Sequence, residues 1–353
     1  MKWAEFLGHQ RQQKWFANAI AHNKLASTFL LVGPSGIGKR TFAKLIAKSL
    51  LCTETDPKAL DFCNACDTCL QIQCETHPDF LYIKRGQAKN TEKEKSVITM
   101  EQLVGSKEAR MREGFCYEIR IRPYSSRRRI GVIDDADTLD EETSNSLLKT
   151  LEEPPPGAVI FLVGTSEKRQ ISTIRSRCQI VRFSPLSIQN VEQLILRNNY
   201  VQDSSLAKSI AAQSHGSIQY AKELSDQSIM DFRNQIQAFL QQRPADFMGF
   251  SKAILDHVNS STAEGQPRRD RLIWCLDEVT DALRNSLWTQ LGVSNQDHEP
   301  PNALFAPLKN LPTKTLVSLI ELTQEARGNI NRFIAPAALL EAWTANFIRT
   351  ARI

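Results

Sequence analysis

The chain has 353 residues, enough for two or three domains. Hydrophobic residues make up 41% and charged residues 24%, which excludes global disorder. Forty-four Lys and Arg against 39 Asp and Glu leave a net charge of +5, which permits nucleic-acid contact without arguing for it.

No apolar run reaches the ~18 residues of a membrane span, and the segment Met1 to Phe6 lacks the apolar core of a signal peptide. The expectation is a soluble, cytoplasmic protein with no membrane partner. Five of the eight cysteines fall between positions 52 and 74. In a reducing compartment such clustering reads as a metal site rather than as disulfides.

Residues 28–33 form an apolar run ending in glycine, which suits a buried strand. A glycine-rich turn follows, then a helix from Thr41 to Leu51 with Phe42, Leu45, Ile46 and Leu50 at helical spacing. The cysteine segment spans 52–77, and 84–97 reads as a polar loop. Ile130 to Ile133 is a second buried strand, running into Asp134 and Asp135. Thr138 to Leu151 reads as a helix with Thr138 and Glu141 as a capping box, stopped by Pro154-Pro155-Pro156. Val159 to Val163 and Ile180 to Phe183 complete four expected strands. Helical periods then run to the end, broken at 259–267 and around Pro300-Pro301. The expected domains are 1–186, an α/β nucleotide-binding domain; 187–226, a small helical domain; and 227–353, a second helical domain. Leu316, Leu319, Ile320 and Leu322 read as core packing, and Trp274, Trp288 and Trp343 lie on expected helices and need no ligand.

Gly33-Pro34-Ser35-Gly36-Ile37-Gly38-Lys39-Arg40-Thr41 has the spacing of a phosphate loop through Lys39. Its glycines let backbone N–H groups turn inward around phosphate oxygens, Lys39 reaches the β and γ phosphates, and the helix N-terminus adds its dipole. Arg40 stands where a Ser or Thr hydroxyl would hold Mg²⁺, and Thr41 comes one residue late. ATP or ADP binding is therefore expected, with Mg²⁺ chemistry in doubt. Asp134 and Asp135 read as the acidic end of a Walker B strand. The first faces the metal. The second would polarise the attacking water, and is a methylene shorter than the Glu that does this well.

Cys63-x2-Cys66-x2-Cys69 with Cys52 upstream offers four soft ligands for tetrahedral Zn²⁺. Cys74 and His77 are alternative donors. Four protein ligands leave no open position, so the site is expected to be structural. Arg127-Arg128-Arg129 could face DNA phosphates or form a solvated loop.

These motifs, with His77-Pro78-Asp79, the run Leu147 to Pro155 and Ser176-Arg177-Cys178, resemble clamp-loader subunits of the AAA+ superfamily, the gamma/tau and delta-prime subunits of bacterial DNA polymerase III. The resemblance runs from Gly8-His9 through the first helical domain, with an echo at Asn329 to Asn331 and Leu339 to Glu341. It implies a RecA-like α/β domain with a zinc insert, a helical lid and an all-α C-terminal collar. It also implies a hetero-pentamer with gamma/tau and delta subunits, acting on the sliding clamp and primed DNA. Arg177 matches the arginine finger that reaches a neighbour's ATP site, where a permanently charged guanidinium neutralises developing charge. Thr165 matches the first sensor. Gln219 stands where the lid's sensor Arg is expected. A weakened site with an intact finger resembles the delta-prime stator more than the gamma/tau motor.

Overall fold

The computed structural model describes residues 2–56, 58–85, 97–110, 112–124, 128–226, 231, 235, 238, 247–259, 268–292, 311–330 and 336–351. The Pro300-Pro301 break, residues 260–267, Arg127, Asn331 and most of the 84–97 loop lie outside them. Two compact units result. One comprises Met1–Asn199 with Ser214–Tyr220, the other Tyr200–Gln213 with Ala221–Ile353.

The first unit is built on a parallel sheet of five strands: β1 (Thr28–Val32), β2 (Phe80–Ile83), β3 (Arg129–Ile133), β4 (Ala158–Gly164) and β5 (Gln179–Arg182), in the order β2-β3-β4-β1-β5. Four were expected. The fifth, β2, has only four residues and follows the His77-Pro78-Asp79 turn. Its run Phe-Leu-Tyr-Ile is too short for periodicity to separate strand from helix. β2 lies beside β3 in the register Ile83↔Ile133, which carries the residues after β2 to the acidic strand end.

Strands β1, β3 and β4 are buried along their whole length, because helices cover both faces of the sheet. Successive residues of β1 divide between two cores. Phe29 and Leu31 join Phe16 of α1 (Gln10–Ala21) and Phe42 and Ile46 of α2 (Lys39–Leu51). Leu30 and Val32 join Leu147 and Leu151 of the helix Glu141–Glu152 and Phe115. Phe16, Phe29 and Phe42 are fully buried, with ring centroids 5.0 and 5.3 Å from Phe16. Burial of each contributes about 1.5–3 kcal/mol, so this cluster anchors α2 and with it the loop before it.

The helix expected from Thr138 begins instead at Glu141. Asp140 is its cap, accepting from the Thr143 N–H at 2.8 Å. Thr138 ends a short 3-10 turn and donates its hydroxyl to the Asp135 carbonyl.

The second unit is helical. Its described helices include Phe247–Asn259, Arg268–Gln290, Thr313–Asn329 and Pro336–Ala351. They share a core of Phe250, Leu272, Leu276, Leu283, Leu316, Leu319, Leu340 and Phe347. Leu316 and Leu319 are buried as expected, and Ile320 and Leu322 pack against the core. The three tryptophans lie on helices, Trp343 buried, Trp274 against the core and Trp288 exposed. The Trp343 indole donates to the Thr323 hydroxyl at 3.3 Å. Among the described residues no helix is long and apolar enough to cross a membrane.

Candidate functional site

The phosphate loop connects β1 to α2, and α2 begins at Lys39. Gly36 and Gly38 have φ of +74° and +101°, the left-handed region that glycine enters without strain. A Cβ at Gly36 would meet the Ser217 hydroxyl at 2.2 Å, so the loop's apex packs directly on the segment 214–220. The Ile218 N–H donates to the Gly36 carbonyl at 3.0 Å. Gln219 belongs to this segment and also lies against the loop apex at Gly36. His9 supports it from the other side, with Nε2 2.9 Å from the Ile37 carbonyl.

The Lys39 ammonium is buried and folds back onto the loop, donating to the carbonyls of Gly33 at 2.7 Å and Pro34 at 2.5 Å. Burial lowers its pKa to about 8. Among the described residues no carboxylate lies within ion-pair distance of it. A buried ammonium held only by carbonyls, beside a helix N-terminus and a loop of left-handed glycines, suits an anion such as a nucleotide phosphate. Pro34 and Ser35 form the exposed crown of the loop.

The acidic strand end is fully engaged. Asp134 is nearly buried, and its Oδ2 receives the Tyr82 hydroxyl at 2.7 Å and Arg40 Nη1 at 3.4 Å. Its Oδ1 accepts the Asp135 N–H at 3.1 Å. Asp135 sits at φ +57° and takes Arg85 Nε on its Oδ2 at 3.0 Å. Burial, then the neighbouring Asp134, push the Asp135 carboxyl above its ordinary value. Burial and Asp134 likewise push the Tyr82 hydroxyl up, so it stays a donor. Thr165, just after β4, donates its hydroxyl and N–H to Asp137 Oδ2 at 2.5 and 2.7 Å, and Gln170 donates to Oδ1 of the same carboxylate at 2.9 Å.

Tyr82 and Arg85 are the partners that sequence reasoning missed. Their signal is β2 itself. Once it is placed parallel to β3, the residues at its end must meet Asp134 and Asp135, and the Asp134 N–H bonds the Ile83 carbonyl at 2.8 Å.

Arg177 lies apart from this centre, as do the cysteines. Its side chain is half-buried, bonded to Glu152 through Nε at 2.7 Å and through Nη2, and to the Thr173 carbonyl at 2.9 Å. The Arg177 carbonyl accepts from the Thr28 hydroxyl at 2.7 Å, which ties the segment to β1. Two runs singled out in the sequence, Leu147 to Pro155 and Ser176 to Cys178, thus meet through one ion pair.

Cys52, Cys63, Cys66 and Cys69 converge, with all four sulfurs within 4.8 Å of one another. The sulfur pairs 52–63, 52–66 and 63–69 are 3.7, 3.9 and 4.0 Å apart. A tetrahedron with Zn–S bonds of about 2.3 Å has edges of about 3.8 Å, so the donor set fits zinc. The N–H groups of Ala65 and Cys66 donate to Cys63 Sγ at 3.5 and 3.2 Å and draw its pKa down. Lys48 lies buried beside the insert, donating to Asn64 at 2.7 Å and Gln73 at 2.9 Å. Between the two possible fourth ligands, the structure selects Cys52: Cys74 is exposed and outside the cluster. His77 is outside it too, its Nδ1 accepting from the Asp79 N–H at 3.0 Å.

Of the basic run, Arg128 and Arg129 are described. Arg129 is buried in β3, 3.6 Å from Asp79 and 3.5 Å from Glu118. It is a structural ion-pair residue and cannot face DNA phosphates.

A parallel sheet, a glycine loop running into a helix and an acidic strand end define the class: a P-loop α/β domain. The particular family follows from comparison with known proteins. The family described as DNA polymerase III, delta subunit, matches residues 8–187, just over half of the chain, and the chain belongs to it. It is 30% identical over 226 residues to the DNA polymerase III subunit gamma/tau of Mycoplasma genitalium, covering 63% of this chain and 34% of that protein. It is 29% identical over 196 residues to the subunit delta' of Bacillus subtilis, covering 54% and 51%. It is 30% identical over 167 residues to the subunit delta' of Pseudomonas aeruginosa, covering 47% and 46%. These matches span between about a third and about half of the relatives' length.

Proposed function

We propose that this chain is a delta-prime-type subunit of a DNA polymerase III clamp loader, a cytoplasmic replication protein. In this reading it holds ATP or ADP on the loop Gly33 to Thr41 without turning it over usefully. It supplies Arg177 in trans to a neighbouring ATPase, within a hetero-pentamer of gamma/tau and delta subunits that places the sliding clamp on primed DNA. The segment 187–226 serves as its lid and 227–353 as its collar. Family membership and the similarity to delta' subunits support the assignment.

The observation that carries the stator reading is the state of the acidic pair. Asp135, at the place of a water-positioning carboxylate, is held by Arg85, and Asp134 by Tyr82 and Arg40. A carboxylate already committed to a guanidinium is a poor base for an attacking water. Arg177 by contrast is tethered only to Glu152 and neighbouring oxygens near the surface, where a partner's phosphate could compete for it. Cys52, Cys63, Cys66 and Cys69 would hold Zn²⁺, which when bound cross-links the insert to the end of α2.

A second reading, a gamma-type motor, draws on the similarity to the gamma/tau subunit. Assembly separates chain from rival. The purified chain should co-elute with gamma and delta subunits as one complex and show negligible ATP turnover alone. Failure to assemble would remove the clamp-loader reading, and robust turnover alone would favour the motor.

A further inference from the structure

Mg²⁺ at a nucleotide site needs a near-octahedral set of oxygens. The protein usually supplies them as a hydroxyl after the loop Lys and an Asp at the strand end. The residues present do not fit that ion. The hydroxyl position is Arg40, the second residue of α2. The strand-end Asp134 has both oxygens in use, Oδ2 by Tyr82 and Arg40 and Oδ1 by the Asp135 N–H. Asp135 is paired with Arg85. Lys39, Arg40 and Arg85 match Asp134, Asp135 and Asp137 in number, so a divalent cation would meet no excess of negative charge here.

Arg40 also has donors to spare. Its side chain is 56% exposed, and its described partners are Asp134, met by Nη1 at 3.4 Å, and the neighbouring Tyr82 hydroxyl, two partners for a fork of five N–H donors. A guanidinium stays charged at any working pH and suits phosphate oxygens bidentately. Asp134 and Tyr82 hold it at the start of α2, immediately after the residue that should meet the β and γ phosphates.

We propose that this site binds nucleoside diphosphates and triphosphates without a divalent metal, with Arg40 serving as the resident cation. The inference rests on the nucleotide-site reading of the loop and adds the ion requirement to it. Metal-free binding also accounts for a site that holds nucleotide yet turns it over poorly. The phosphate charge is met by a fixed monocation, and no metal-bound oxygens orient the chain for in-line attack.

The test is equilibrium binding of mant-ADP and mant-ATP to the full-length chain, in excess Mg²⁺ and in EDTA. Arg40→Ala and Arg40→Ser are measured alongside, with circular dichroism and zinc content confirming that each variant is folded. The wild type should bind with dissociation constants equal within about twofold in the two conditions. Arg40→Ala should lose about tenfold or more in EDTA, and Arg40→Ser should lose as much in EDTA and recover in Mg²⁺. Wild-type binding that needs Mg²⁺, or an Arg40→Ala variant that binds undiminished in EDTA, overturns the inference and leaves the nucleotide reading standing. A folded wild type that binds neither probe in either condition removes the nucleotide reading and this inference with it.

Discussion

The cysteine insert and the acidic strand end are both built around negative charge, and they treat it in opposite ways. In the insert four sulfurs converge with spacings that match the edges of a zinc tetrahedron, and the neighbouring Lys48 ammonium donates to Asn64 and Gln73. At the strand end two carboxylates converge, and each is already bonded to an arginine of the same chain. The first region asks for a metal. The second supplies its own cations. In the proposed stator reading the first would hold a structural metal and the second would meet phosphate charge by side-chain electrostatics, as suits a subunit that scaffolds rather than drives.

The largest expected effect would break the first half of that contrast. Cys69→Ser removes a fully buried ligand and should abolish stoichiometric zinc. It should also lower thermal stability sharply, because structural zinc binding is worth on the order of 10 kcal/mol in small domains. Cys74→Ser should leave zinc content unchanged, since that residue is exposed and outside the cluster. Zinc analysis of the two variants checks both statements. A Cys74→Ser protein that lost zinc would contradict the ligand set.

The next effect sharpens the second half. Asp135→Glu alone restores the residue type that positions water, yet Arg85 remains opposite it. Turnover should therefore stay at background. Asp135→Glu combined with Arg40→Ser and Arg85→Ala should gain Mg²⁺-dependent hydrolysis of about tenfold or more over background. Single-turnover assays with labelled ATP would resolve the two. Activity in the single variant would show that the arginine pairing is not what silences the site.

A smaller effect comes from pH. Burial holds Lys39 at about 8, so its ammonium is present below that pH and titrates away above it. A bound phosphate favours the ammonium, so affinity should be highest below pH 8. It should fall as pH rises, by up to about tenfold per pH unit. The stability sign is opposite. The buried ammonium costs stability below pH 8, and that cost is relieved as the pH climbs toward the ordinary lysine value. Mant-ADP titrations at a series of pH values test the binding limb, and a flat profile would mean that Lys39 does not meet the phosphates.

The smallest effect concerns the tether of Arg177. Glu152→Gln should cost at most about 1 kcal/mol of stability, because the pair is partly exposed. It should weaken stimulation of a partner ATPase only if Glu152 positions the guanidinium rather than merely storing it. Stimulation as a function of subunit concentration separates a loss of docking from a loss of finger placement.

The parts legible in the sequence are those whose chemistry needs residue types at short fixed spacing. The phosphate loop, the cysteine triplet and the Ser176 to Cys178 run each stand in one stretch, and the apolar strand β1 before Gly33 marks where the first must lie. What stayed hidden is contact between distant stretches. Arg85 follows a four-residue strand that periodicity could not resolve, so its place opposite Asp135, 50 residues on, had no local signal. Glu152 and Arg177 were both singled out, yet only the packed fold brings them together. Arg129 read as part of a surface charge run, because a buried Arg shows itself only when its partners Asp79 and Glu118 are in view. The choice of Cys52 over Cys74 likewise needed three dimensions: both flank the triplet, and only one turns toward it.

The most direct measurement is ATP turnover on primed DNA with a sliding clamp, for three samples: this chain alone, the chain with gamma-type and delta subunits, and the same mixture carrying Arg177→Ala. The account predicts an inert chain, an active mixture and a partial loss with the variant, since one of several ATPase sites borrows this finger. A chain that hydrolyses ATP by itself, or a mixture indifferent to Arg177→Ala, would contradict it.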